Sequence, residues 1–178
     1  MPLHTPDFDH FADFCAIVEE FGGTDLQGSG FWGERHPVLT PEGYRAWVQE
    51  LLDEGDDTVP AQDGRVKCSY FWITDEDGAW LGFLALRRSL NDFLREEGGH
   101  IGYSVRPSRR REGHATRALA AALDEASRLG LDEVLVTCDE DNTASARTIE
   151  RCGGRYEDSR NGKRRYWIAT ESGAIRPK

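Results

Sequence analysis

The apolar residues of this chain change rhythm along its length. In DFDHFADFCAIVEEFGG, Phe8, Phe11, Phe14, Cys15, Val18 and Phe21 keep close to an i, i+3, i+4 spacing, and Gly22 ends the run. TPEGYRAWVQELLDEG repeats the pattern with Thr40 as N-cap and Pro41 at the first helical position. Its stripe is Tyr44, Trp47, Val48, Leu51 and Leu52, with a stop at Gly55. Between these two predicted helices, GGTDLQGSGFWGERHP reads as a glycine-rich loop. Its Phe31 and Trp32 are either a hydrophobic latch onto the core or a wall facing a substrate.

The period then shortens. Cys68–Thr74, a turn at DEDG and Trp80–Arg87 read as a hairpin, LNDFLREEGG as a short helical link, and HIGYSVRP as a strand ended by Pro107. A helix follows from about Gly113 to Leu129, with Ala115, Leu119, Ala122, Leu123 and Ala126 on one face. LDEVLVTCD alternates less and reads as a fully buried, parallel strand. NTASARTIERCGG is a shorter helix, and GRYEDSRNGKRRYWIAT a hairpin with Asn-Gly at its tip. This order predicts a mixed sheet with helices on its faces, not a doubly wound one. No first strand is legible before Phe8.

Composition narrows the class. One domain is the default for 178 residues, and 38% hydrophobic with 30% charged residues is an ordinary globular composition. The net charge of −10 makes a general nucleic-acid binder a poor reading, since that role needs a basic face. No apolar run approaches the length of a membrane span, and MPLHTPDFDHF lacks the basic and apolar regions of a signal peptide, so a cytoplasmic protein is expected. Cys15, Cys68, Cys138 and Cys152 have no metal-ligand spacing, nor do His4, His10 and His36; free thiols and no metal are expected.

Against the acidic background, RPSRRREGHATRAL concentrates positive charge at the start of a helix. The first N–H groups of a helix lack intrahelical partners and carry the positive end of its dipole. Gly113 and Ala115 add almost no bulk, so a pyrophosphate could approach the backbone, with Arg109, Arg110 and Arg111 as mobile charge around it. A solvated turn with small residues packed on a neighbour explains the same residues equally well.

Arg110-Arg111-Glu112-Gly113-His114-Ala115 fits the (Gln/Arg)-x-x-Gly-x-(Gly/Ala) acetyl-CoA signature, and the chain resembles the GNAT N-acetyltransferase superfamily over roughly Ser69 to Thr170. DNTASARTIERCGG is similar to the superfamily's second conserved stretch. SYFWITDEDG, RRSLN, GGHIGYSVRPSRRREGHAT and RRYWI resemble a bacterial subgroup of these enzymes. The resemblance implies an α+β (α/β/α) fold: a mixed, mostly antiparallel twisted sheet with a splayed central strand pair and helices on both faces. It implies a single acetyltransferase domain over 1–178, with a helical acceptor-side segment (1–60) and an acetyl-CoA-binding core (61–170).

It also implies acetyl-CoA as acetyl donor and an amine acceptor, with dimers common in the class. Backbone groups of Tyr103, Ser104 and Val105 would pair with the pantetheine amides. The N–H groups from Arg111 through Glu112, Gly113, His114 and Ala115 to Thr116 would hold the pyrophosphate. Asn142 and Ser145 would lie near the thioester. Acid excess favours a cationic acceptor.

Acetyl transfer to an amine needs a base, oxyanion donors and an acid for the thiolate. His100 stands where many members carry Glu and is the candidate base, unless it is a structural residue at the strand start; Glu96, Glu97, Asp139 and Asp141 are alternatives. Many members place a Tyr acid where this chain has Ile149. Ser145 then contacts the sulfur, Tyr103 is a second candidate, or the thiolate leaves without an acid. His114 reads as a helix-surface residue and Cys138 as core. The lack of the Tyr also keeps open a non-catalytic acyl-CoA-binding regulatory module.

Overall fold

The computed structural model describes residues 3–23, 26–31, 33, 35–61 and 64–171. The elements are β1 (Leu3–His4), α1 (Phe11–Glu20), α2 (Pro41–Gly55), β2 (Cys68–Thr74), β3 (Trp80–Arg87), β4 (Ile101–Val105), α3 (His114–Arg128), β5 (Glu133–Asp139), α4 (Thr143–Arg151), β6 (Arg155–Arg160) and β7 (Lys163–Ala169). A π-type turn, Leu94–Gly98, stands in the predicted link before β4. The strands form one sheet in the order β1-β2-β3-β4-β5-β7-β6, antiparallel throughout except for β4 beside β5.

Local chemistry accounts for the elements. Thr40 Oγ1 accepts from Gly43 N–H at 3.1 Å and Pro41 opens α2, so both halves of the predicted start are used. Asn161 and Gly162 hold the positive φ values (50° and 73°) that a type I′ turn demands between β6 and β7. The predicted stripe of α1 missed Ile17, which is fully buried.

Two cores flank the sheet. Leu84, Leu86, Ile101 and Val136 pack against Ala118, Leu119 and Ala122 of α3 and Ile149 of α4. On the other face Phe14, Ile17, Tyr44, Trp47 and Leu51 from α1 and α2 pack on Trp72, Trp80 and Phe83. Trp47 stacks with Phe14 at 4.7 Å between ring centres.

Two expectations change. A first strand exists before Phe8: Leu3 and His4 pair antiparallel with Ile73 and Trp72. Two residues are too few to show a period, which is why the sequence hid it. The buried strand β5 is parallel to its neighbour at one pair only, Ile101–Val136, and antiparallel to β7 over seven.

Candidate active site

That single pair opens the site. Arg106 N–H donates to Leu81 O at 2.7 Å and Arg87 N–H to His100 O at 2.8 Å. These bonds bracket Gly82–Val105, Leu84–Tyr103 and Leu86–Ile101, making them the non-hydrogen-bonded pairs of the β3–β4 ladder. The N–H groups of Ile101, Tyr103 and Val105 therefore point away from β3, toward β5. Beyond Ile101, β5 no longer pairs with β4, and the Tyr103 and Val105 donors face the gap. Ser104 belongs to the alternate, hydrogen-bonded set, so its backbone is used by Phe83 within the sheet. The expectation that it would bind pantetheine is corrected by strand periodicity. Its side chain donates instead to Gln27 O at 2.8 Å on the other face.

The chain leaves β4 through a short 3₁₀ turn, Pro107–Arg109, and enters α3. Arg111 (φ 67°) and Gly113 (φ 80°) are both left-handed. For Arg111 this conformation costs about 1–2 kcal/mol, strain of the kind that collects at functional turns. Among the described residues, the N–H groups of Gly113, His114, Ala115 and Thr116 have no partner within the chain. They converge at the positive end of a fifteen-residue helix.

The three arginines do not act alike. Arg109 is held by Glu112 (3.1 Å) and Asp75 (3.2 Å). Arg110 Nε donates to Val105 O at 2.9 Å, and its guanidinium lies 5.7 Å from the Phe21 ring centre. Of the three, only Arg111 is exposed without a hydrogen-bond or ion-pair partner among the described residues. His114 is buried rather than on the helix surface: Nε2 lies 2.9 Å from Glu112 and Nδ1 2.9 Å from Arg117 Nη2. Glu20 ties α1 to this turn, accepting from Ser108 N–H and Arg106 Nε at 2.6 Å each.

The gap between β4 and β5 continues into a cavity of about 710 Å³. One part of its wall is Tyr103, Thr137, Cys138, Asn142 and Ser145; another is Gly28, Phe31, Glu54, Tyr70, Phe93 and Glu97. A strand gap with free donors, leading from a bare helix N-terminus to a cavity, is the frame that a long phosphate-bearing thioester needs.

A model of the acetyltransferase (GNAT) domain matches residues 2–155. The chain belongs to the GNAT acetyltransferase family. Solved GNAT-like structures share its fold. Ribosomal-protein-S5-alanine acetyltransferase from Vibrio fischeri superposes with a TM-score of 0.70 at 15% identity, covering 98% of this chain and 94% of that one. Mycobacterium smegmatis RimJ, in complex with CoA-disulfide, gives 0.69 at 22% identity, with coverage of 95% and 81%. A spermidine N-acetyltransferase SpeG chimera from Vibrio cholerae and hSSAT gives 0.63 at 16%, with coverage of 95% and 96%. No sequence among curated proteins matches the chain.

The GNAT frame sharpens the catalytic candidates. His100 is buried, and its Nδ1 accepts from Leu135 N–H at 2.9 Å, while its own N–H donates to Leu135 O at 2.7 Å. Burial, then Arg87 and Arg95, push its pKa down to about 4. It is not among the residues that line the cavity. Its geometry is that of a stitch between β4 and β5, and the expected base loses its support.

Tyr103 fares differently. Its hydroxyl is buried with no partner in full hydrogen-bond geometry, and burial pushes its pKa up to about 12 against the opposite pull of the nearby Ser145 and Thr148 hydroxyls. It shares the cavity wall with Ser145 and Cys138. Asn142 caps α4, its Oδ1 accepting from Ser145 N–H at 3.0 Å, which fixes both beside the gap. Ile149 is fully buried in the α3–α4 core. Burial raises the pKa of the Cys138 thiol.

Of the alternative bases, Glu97 and Asp139 line the cavity. Glu96 pairs instead with Arg160 at 3.0 Å. Phe31 turns out to be both latch and wall, for it stacks on Trp47 (5.1 Å, 15°) and faces the cavity; Trp32 lies outside the described residues. Glu54 and Tyr70 were not singled out from sequence. They sit at ordinary amphipathic positions, and only packing brings Tyr70 Oη to Glu54 at 2.8 Å. Among the described residues no helix is long and apolar enough to cross a membrane, and no cluster of three or more His, Cys, Asp or Glu could hold a metal.

Proposed function

We propose that this protein is an acetyl-CoA-dependent N-acetyltransferase that transfers acetyl directly to a primary amine, as one domain whose α1–α2 side receives the acceptor. The observation that carries it is the continuous path from the unpartnered N–H groups at Gly113–Thr116 to the free Tyr103 and Val105 donors of the splayed strand. The residues fit the donor. The helix N-terminus and Arg111 suit the pyrophosphate, Tyr103 and Val105 N–H the pantetheine amides, and Asn142 and Ser145 the thioester end.

In the reaction, the amine nitrogen bonds to the thioester carbonyl carbon and the C–S bond breaks. The ammonium yields two protons along the way; one reaches the departing sulfur and one is released. Tyr103 is the acid we assign, because its hydroxyl is protonated at neutral pH and buried in the cavity wall, beside the hydroxyls of Ser145 and Thr148. The four cysteines are unpaired, which suits a reducing compartment such as the cytosol.

Calorimetry with acetyl-CoA tests the site. Gly113→Ala controls for strain, since any side chain at φ 80° is disfavoured, and Gly113→Glu adds charge in the cradle. Binding by wild type and Gly113→Ala with none by Gly113→Glu supports the reading; no binding by wild type at millimolar acetyl-CoA removes it. Thiol release with an amine panel then separates an enzyme from a binding module.

A further inference from the structure

The cavity wall contradicts the simplest electrostatic guess about the acceptor. Among the described residues six charged side chains line it, Glu54, Glu97 and Asp139 against Arg65, Arg87 and Lys163, so the acid excess of the chain is not repeated in that set. Most of these charges are spoken for. Glu54 pairs with Arg65 at 2.7 Å and Asp139 with Lys163. Arg87 donates to Gly98 O and Gly99 O at 3.2 Å each. Glu97 is the exception: among the described residues it has no cationic partner, and its side chain accepts only from the Asn161 amide, at 3.4 Å.

The same wall carries Phe31, Tyr70 and Phe93. Phe31 stacks on Trp47, and Phe93 is 63% exposed, an aromatic face that none of the described residues covers. One free carboxylate among aromatic surfaces has room for one ammonium and an apolar group. A second ammonium would have to displace Lys163 from Asp139 or lie near the fixed cations Arg65 and Arg87, which repel it.

We infer that the acceptor is a primary monoamine with an aromatic or branched aliphatic group close to its nitrogen, not a polycation. The ammonium faces Glu97 and the apolar group rests on Phe31 and Phe93. This deepens the acetyl-transfer reading and rests on it.

The test compares 2-phenylethylamine, phenylalanine amide and spermidine as acceptors, following thiol release from acetyl-CoA. At least one of the first two should exceed spermidine in kcat/KM by tenfold or more. Phe93→Ala, a surface change that leaves the core intact, should cut that preference about fivefold, the scale of one aromatic contact. Glu97→Gln should lower kcat/KM for all three, mainly through KM. Equal or better turnover of spermidine overturns the inference, as does an unchanged preference in Phe93→Ala. A wild type that fails to bind acetyl-CoA overturns the acetyl-transfer reading itself, so the two failures are told apart.

Discussion

His100, just before β4, and Val105, at its end, are five positions apart, and the two ends of the strand behave oppositely. At its start, His100 uses both its backbone N–H and its imidazole to hold β5 through Leu135. At its end, Tyr103 and Val105 turn the same kind of donors toward a gap and leave them free. The closed end is satisfied in the unliganded chain; the open end is satisfied only by something bound. Unpaired polar groups near the interior cost about 1–3 kcal/mol each, so their persistence at one end marks where stability has been given up for binding.

The largest effect that breaks this contrast is at the mouth of the open end. Gly113→Glu should weaken acetyl-CoA binding more than a hundredfold in calorimetry, whereas Gly113→Ala should lose tenfold or less. Next is the open end itself. Tyr103→Phe should lower kcat ten- to a hundredfold with little change in KM, yet leave the Tm of the protein nearly unchanged, because the buried hydroxyl makes no hydrogen bond of full geometry within the chain. A lower Tm would show that the hydroxyl has a structural bond and is not waiting for substrate.

The closed end should respond the other way round. His100→Ala should destabilise the fold by about 2–3 kcal/mol in urea unfolding and leave the shape of the kcat/KM pH profile unchanged. The pH dependence has a definite sign. Its folded pKa, about 4, lies below the ordinary 6.5, so the unfolded chain takes up the proton first. The stabilisation is therefore complete above pH 6.5 and is lost as pH falls from 6.5 toward 4, a decline of about 3 kcal/mol that His100→Ala should remove.

The smallest effect concerns the brace outside both ends. Burial acts upward on Glu20, but the hydrogen bonds from Ser108 and the ion pair with Arg106 outweigh it and bring its pKa to about 2. A depressed carboxylate stabilises above its unfolded pKa and loses that contribution as pH falls from 4.5 toward 2. Because the pair is partly exposed, Glu20→Gln should cost no more than about 1 kcal/mol, and raise the acetyl-CoA Kd two- to fivefold by loosening the turn before α3.

Much of this molecule was legible as pattern. The strands Cys68–Thr74 and Trp80–Arg87, the Thr40 cap, the Asn-Gly hairpin and the helix following Gly113 each rest on neighbours in sequence, where periodicity and turn chemistry act directly. The acetyl-CoA end was legible for the same reason: a helix start, a glycine and small residues are consecutive, and the backbone does the binding.

The acceptor end was not legible, because it is assembled from a loop (Phe31), a helix (Glu54), a strand (Tyr70) and a π-type turn (Glu97) that only the tertiary fold brings together. The sequence by itself determined where donors for a phosphate would stand, since a helix N-terminus exposes its N–H groups wherever it occurs. Only the tertiary structure decided which groups stay free. It buried His100 against Leu135, used the backbone of Ser104 in the sheet, turned the Tyr103 and Val105 donors to the gap, and left Glu97 without a cationic partner among the described residues. A local run of residues sets the donors and acceptors a chain owns; whether each is already satisfied depends on what packs against it from elsewhere.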